Sequence, residues 1–279
     1  MQLTIALAQM AITPGRPDLN EAEARRLAAQ AAAAGAGLLL LPELWPTGYD
    51  LAHAAGYAAP LDGGHFALMA DIARAHRLHV LGTALEANPA GRPYNTAALY
   101  TPGGQRAASY RKVHLFPPMG EVEHLSPGDA LPVFDLPWGR TALAICYDLR
   151  FPEMWRRYTQ AGAQLILIPA EWPIRRVEHW RLLLKARAVE NQLFVAGCNR
   201  AGGGPDAQDP FGGHSAVVDP WGQILVEGDL EPGLFLTTLD LDQVGRCRHL
   251  LPFLDDRRPD VYESAKEVIC STMIPTSRR

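Results

Sequence analysis

Lysine is nearly absent from this chain. Only Lys112, Lys185 and Lys266 occur in 279 residues, and arginine supplies the other 23 of the 26 basic side chains. Positive charge is not in excess either, because 30 acidic residues leave a formal net charge of -4. Nucleic acid is thereby excluded as a main partner, since neutralising a phosphate backbone needs clustered cations. Long apolar runs are missing too. The longest segment without a polar side chain, residues 31–42, has 12 residues, against roughly 18 for a membrane-spanning helix. The opening MQLTIALAQM has no basic residue before Arg16 and reads as a strand, not a signal peptide. Cysteine is sparse: Cys146, Cys198, Cys247 and Cys270 form no short-spaced pair. That argues against a disulfide scaffold and a zinc cluster, and predicts a cytoplasmic protein. Paired His or Asp ligands at helical spacing are lacking, which disfavours a metal hydrolase.

What is present is a globular composition, 48% hydrophobic and 20% charged, with strand-length apolar runs alternating with helical text. Residues 3–9 read as a first strand. Asn20 is placed to cap a helix over 21–34. Residues 37–42 form a buried strand ending at Glu43. Helix 64–77 and strand 78–85 follow, then strands 96–100 and 106–111 around Pro102-Gly103-Gly104. Strands 133–136 and 141–145, helix 151–161, strand 164–168, helix 175–192 and strands 193–198 and 214–218 continue the alternation. A last hairpin is predicted to pair 224–227 with 234–239. No linker divides the chain, so residues 1–279 read as one domain; 202–213 is a surface loop, and 250–279 a polar tail packed on a neighbouring subunit. Such text suggests sheet packed on sheet with helices outside.

Polar residues fall at three strand ends. Leu38-Leu-Leu-Leu-Pro-Glu43 ends in a carboxylate, Ser109-Tyr-Arg-Lys112 in an ammonium, and Thr141-Ala-Leu-Ala-Ile-Cys146 in a thiol. Strand ends are where α/β proteins place their chemistry. Together the three could perform nucleophilic catalysis on an acyl group: Glu43 takes the thiol proton, and Lys112 stabilises the thiolate and then an oxyanion. Each also has a plainer reading: a core cysteine, a capping glutamate, a solvated lysine. A lysine where this chain otherwise writes arginine favours the functional one.

These motifs resemble the nitrilase superfamily of carbon–nitrogen hydrolases. The resemblance rests on Leu41-Pro-Glu-Leu44 with Gly48-Tyr49, Tyr110-Arg-Lys-Val-His-Leu-Phe116, Leu125-Ser-Pro-Gly-Asp129 and Cys146-Tyr-Asp-Leu-Arg-Phe-Pro-Glu153. It continues through Ala186-Arg-Ala-Val-Glu-Asn191, Cys198-Asn199, Gly213-His-Ser215 and Asp219-Pro-Trp-Gly222. It implies a four-layer αββα sandwich, no metal or organic cofactor, and a Glu43–Lys112–Cys146 triad. A second glutamate falls on Glu121, with Glu123 as its rival. Homodimers or larger oligomers are implied, pairing through helices 151–161 and 175–192.

Pro169-Ala-Glu-Trp-Pro173 with Arg176-Val-Glu-His-Trp180 is similar to the omega-amidase-like branch. That implies hydrolysis of the terminal amide of a small carboxylate such as 2-oxoglutaramate or succinamate, through a cysteine thioester. An amidase of deaminated glutathione is the alternative, and a small-molecule binding protein on the same fold the non-enzymatic one. An anionic substrate end needs a cation, for which Arg175 and Arg176 are the candidates, while Tyr147 and Trp172 could form apolar walls. Arg150 is assigned to an internal ion pair, Asp148 to a helix cap and His179 to packing or hydrogen bonding on its helix. Cys198 and Asn199, at another strand end, could line the site, with core packing the alternative for the cysteine.

Overall fold

The computed structural model describes residues 1–203 and 210–262. The chain opens with β1 (Gln2–Gln9), α1 (Pro17–Ala33) and β2 (Leu38–Leu40), then α2 (Ala54–Tyr57), α3 (Gly64–His76) and β3 (His79–Glu86). Strands β4 (Tyr94–Tyr100) and β5 (Arg106–Arg111), short helix α4 (Glu121–His124), and β6 (Val133–Leu136) and β7 (Gly139–Leu143) follow. Next come α5 (Pro152–Gln160), β8 (Leu165–Ala170), α6 (Val177–Asn191), β9 (Phe194–Asn199) and the two-residue strands β10 (Ala201–Gly202) and β11 (Phe211–Gly212). Strands β12 (Ala216–Val218), β13 (Ile224–Glu227) and β14 (Gly233–Asp240), with helices α7 (Asp242–Leu250) and α8 (Pro259–Tyr262), close the described chain. No helix among the described residues is long and apolar enough to cross a membrane.

Two six-stranded mixed sheets result, ordered β14-β1-β2-β3-β4-β5 and β13-β12-β9-β8-β7-β6. Strand alternation sends Ile5 and Leu7 of β1 into the core between the sheets, with Leu40, Leu99, Leu143 and Leu167. Ala6 and Ala8 of the same strand face outward and are covered by α1 and α3 through Leu27, Phe66 and Ile72. The second sheet is backed by α5 and α6 through Trp155, Tyr158, Trp180 and Leu184. The layers are therefore helix, sheet, sheet, helix.

Both sheets use one ladder pattern. The parallel trio β1-β2-β3 matches β7-β8-β9, each flanked by antiparallel strands. Corresponding positions carry corresponding devices. A Cβ on Gly82 of β3 would meet the Trp45 ring at 2.8 Å, and one on Gly197 of β9 the Trp180 ring at 2.6 Å. Likewise β2 leads to Glu43 and β8 to Glu171. The two exits touch where Glu171 N–H donates to Glu43 Oε2 at 3.0 Å.

Two expectations are corrected. The final hairpin does not form: β13 pairs with β12 in one sheet, and β14 with β1 in the other. The link between them is captured by Gln9, whose Nε2 donates to the carbonyls of Asp229 and Glu231 at 2.8 and 2.6 Å. Helix α1 starts earlier than residue 21, because Pro17 presets the first helical φ. Asn20 is then a buried residue of the helix, not its cap: it accepts from Thr13 N–H and donates to the carbonyls of Thr13 and Pro46, each at 2.9 Å. The tail expected over 250–279 lies outside the described residues from 263 onward, as do 204–209 of the predicted loop.

Candidate active site

The strand ends converge between the two sheets. From the first sheet come Glu43, after β2, and Lys112, after β5; from the second comes Cys146, after β7. Glu121 enters on α4. Lys112, Glu43 and Glu121 have no solvent exposure at all. The Lys112 ammonium donates to Glu43 Oε1 at 2.8 Å and to Glu121 Oε1 at 2.7 Å. Glu43 also accepts from Asn95 Nδ2 at 2.8 Å, and Glu121 from Tyr49 OH at 2.8 Å and Phe116 N–H at 2.6 Å. Glu123, the rival position, is exposed.

Burial weakens the Lys112 ammonium's hold on its proton, but the carboxylates of Glu121 and Glu43 overcome it and hold the ammonium above its ordinary range. Burial raises Glu121, with Lys112 opposing. Burial also pushes the Cys146 thiol well up, reinforced by the Glu43 charge and a hydrogen bond to it, against the pull of Lys112. The resting thiol therefore keeps its proton beside a carboxylate that can receive it.

Cys146 opens a 3-10 turn, Cys146–Arg150, with φ at 45°. A non-glycine residue there is strained and persists only if its surroundings hold it. Asp148 supplies that hold and does not cap α5. Its carboxylate accepts from Ile145 N–H at 2.9 Å, His114 N–H at 3.1 Å and Tyr110 OH at 2.8 Å, and lies 2.8 Å from His114 Nδ1.

A narrow pocket opens over the thiol, lined by Phe116, Cys146, Tyr147, Arg150, Glu171, Trp172, Pro173 and Arg176. Tyr147 and Trp172 both line it. Arg176 lines the cavity, with its guanidinium 5.4 Å from the Phe116 ring centroid. Arg175 is exposed and does not line it: the 3-10 turn Ile174–Arg176 directs the two side chains differently. Arg150 corrects the internal ion-pair expectation. Among the described residues it meets no carboxylate; it lies over Trp172, 4.5 Å from the ring centroid, and 3.5 Å from His179 Nδ1. Burial and the Arg176 charge both weaken its hold on the proton, as befits two neighbouring cations.

Cys198 and Asn199 do not line the cavity. The Cys198 thiol donates to the Ala8 carbonyl in the core, and Asn199 Oδ1 accepts from Trp172 N–H at 2.6 Å, fixing that wall from behind. Asn95 and Glu171 were missed. A lone Asn within the apolar text of β4, and a Glu directly after the buried strand β8, were the available signals.

The fold and this buried thiol, carboxylate and ammonium define a cysteine-dependent hydrolase of carbon–nitrogen bonds. The chain belongs to the carbon-nitrogen hydrolase family, whose model matches residues 4–249. It is 39% identical over 262 residues to a 2-oxoglutaramate amidase of Bacillus subtilis, covering 94% of this chain and 100% of the relative. It is 33% identical to the omega-amidase NIT2 of Mus musculus, covering 92% and 96%. Among solved structures, the amidase from Nesterenkonia sp. AN1, as a mutant with acrylamide added to its active-site cysteine, superposes with a TM-score of 0.82 at 32% identity, covering 94% and 98%. Nit3 of Saccharomyces cerevisiae, a nitrilase-superfamily member, gives 0.84 at 28% identity, covering 92% and 97%.

Proposed function

We propose that the protein is an omega-amidase that hydrolyses the terminal amide of a small carboxylate, of the 2-oxoglutaramate or succinamate type, to the dicarboxylate and ammonia. The observation that carries this reading is the cavity over Cys146. It presents a thiol backed by Glu43 and Lys112, two apolar walls, and the cations of Arg150 and Arg176. A substrate with an amide at one end and a carboxylate at the other meets complementary chemistry at both. The curated relatives named for 2-oxoglutaramate and omega-amide hydrolysis support the substrate class.

The thiol proton passes to Glu43 as Cys146 sulfur bonds the amide carbon. The oxyanion is held by the Lys112 ammonium and the Tyr147 backbone N–H. Glu43 returns the proton to nitrogen, the C–N bond breaks, and ammonia leaves a thioester on Cys146. Glu43 then takes a proton from water, hydroxide attacks the thioester, and the C–S bond breaks as Cys146 regains its proton. Glu121 holds Lys112 in place. A homodimer or larger assembly fits the exposed apolar residues Leu182 and Val189 on α6, and the chain is read as one domain. Buried, unpaired Cys198 and Cys247 fit a cytoplasmic location.

An ammonia-release panel tests the reading: 2-oxoglutaramate, succinamate, deaminated glutathione, glutamine, asparagine and a simple nitrile. The two monoamides of dicarboxylates are expected to lead. Preference for deaminated glutathione by about tenfold or more, roughly 1.4 kcal/mol in the transition state, would overturn the substrate assignment. Peptide mapping should place the acyl adduct on Cys146, and an adduct on Cys198 would overturn the nucleophile.

A further inference from the structure

Glu171 is the one carboxylate among the residues lining the cavity. It has no solvent exposure. Its Oε2 accepts from Arg200 Nη1 at 2.7 Å, while its Oε1 is buried without a hydrogen-bond partner. A buried polar atom left unpaired costs free energy, so it marks a place where a partner is expected. Glu171 stands at the catalytic end of the cavity, because its own backbone N–H donates to Glu43 Oε2. It is also the positional counterpart of Glu43, one at the exit of β8 and the other at the exit of β2. The opposite demand is met elsewhere in the cavity, where Arg150 and Arg176 offer only donors.

We propose that Glu171 is a specificity-determining residue whose free carboxylate oxygen accepts a hydrogen bond from the N–H of the substrate amide, selecting primary amides over acyl compounds that have no donor there. This rests on the amidase reading and deepens it. Arg200 orients the acceptor: it is itself fully buried, with Nη2 donating to the carbonyls of Ile12 and Gly203 at 2.6 and 3.0 Å. Burial nevertheless pushes the Glu171 carboxyl up to about 7, with Arg200 opposing. No catalytic step described above uses this residue.

The test compares an amide with the ester of the same acid, succinamate against monomethyl succinate, in the full-length protein. Removing Glu171 alone would strand the Arg200 charge in the core, so the variant is E171M/R200M, with E171Q/R200M as its partner that restores a neutral acceptor. The ratio of kcat/KM for amide over ester should fall at least about tenfold in E171M/R200M, the weight of a hydrogen bond to a charged group. It should recover to within about threefold of wild type in E171Q/R200M. Equal losses on amide and ester, or no recovery with glutamine, would show a purely structural role and overturn the proposal. Wild-type protein that releases no ammonia from succinamate or 2-oxoglutaramate would overturn the amidase reading first, and this inference with it.

Discussion

At the scale of single residues, the decisive fact is a lysine held by two carboxylates with no solvent exposure. Breaking a buried charge cluster by removing one partner usually costs about 3–5 kcal/mol. Lys112→Met should lose stability on that scale in urea unfolding, and turnover by at least ~10²–10³, because a transition-state donor disappears with it. The stability deficit should shrink as pH falls, since protonation relieves the stranded Glu121, whose carboxyl burial already raises and Lys112 opposes; a deficit independent of pH would contradict the buried charge cluster. Glu171 gives a second pH dependence of known sign. Its folded carboxyl is pushed up to about 7, above the unfolded value near 4.3. The folded state therefore binds the proton more tightly. The stability this contributes is complete below about pH 4 and is lost as pH rises through about 7. Between ~pH 4 and ~pH 8, wild type should lose on the order of 3 kcal/mol more than Glu171→Gln. Parallel stability curves for the two proteins would show that Glu171 titrates normally. Glu43, Lys112 and Cys146 were legible because each interrupts a buried apolar strand with a charge or thiol. Asn95 was not, because an amide inside β4 has no periodicity or charge to mark it until Glu43 is seen beside it.

At the scale of elements, the sequence pattern located strands well and their partners less well. The alternation in β1 and the hairpin β4–β5 followed from period and turn residues. The split of β13 from β14 did not, because it depends on Gln9 reaching across to a link 220 residues away, and local text carries no such information. The turn Cys146–Arg150 is similar. Its motif was visible, but the role of Asp148 was misplaced as a helix cap, since the donors it serves come from Tyr110 and His114, 38 and 34 residues earlier. Asp148→Asn tests this element. An amide nitrogen replaces one acceptor oxygen and faces donors, which should cost about 1–3 kcal/mol for the groups left unpaired. With its restraint weakened, Cys146 should leave its positive φ and lose alignment with Glu43. We expect a lower melting temperature and a fall in kcat larger than any change in KM for succinamate, because Asp148 does not line the cavity. A change confined to KM would place Asp148 in substrate binding instead.

At the scale of the molecule, the proposed chemistry draws on both sheets, since Glu43 and Lys112 stand on one and Cys146 on the other. Sheet docking is secured by the shared core, but the outer face of α6 exposes apolar side chains beside the charged Glu178. Leu182 is 65% exposed and Val189 44%, and the two lie seven residues apart on one helical stripe, with Ala186 between them. Trp221 adds a further 47%-exposed side chain, on the turn that leads into β13. Exposed apolar residues grouped in this way mark an interaction surface, and an isologous contact between two copies of α6 would bury them symmetrically. The same helix carries Arg187, which donates to the Leu149 carbonyl at 3.0 Å within the Cys146–Arg150 turn, so pairing through α6 would bear on the placement of Cys146. Leu182→Glu combined with Val189→Glu places like charges across that contact. Sedimentation velocity should show the wild type as a dimer or larger and the double variant as a monomer. Because α6 also braces the turn, ammonia release per chain should fall with dissociation and recover as protein concentration is raised. An assembly unchanged by both glutamates would locate the interface elsewhere. A monomer with full activity would uncouple assembly from the site.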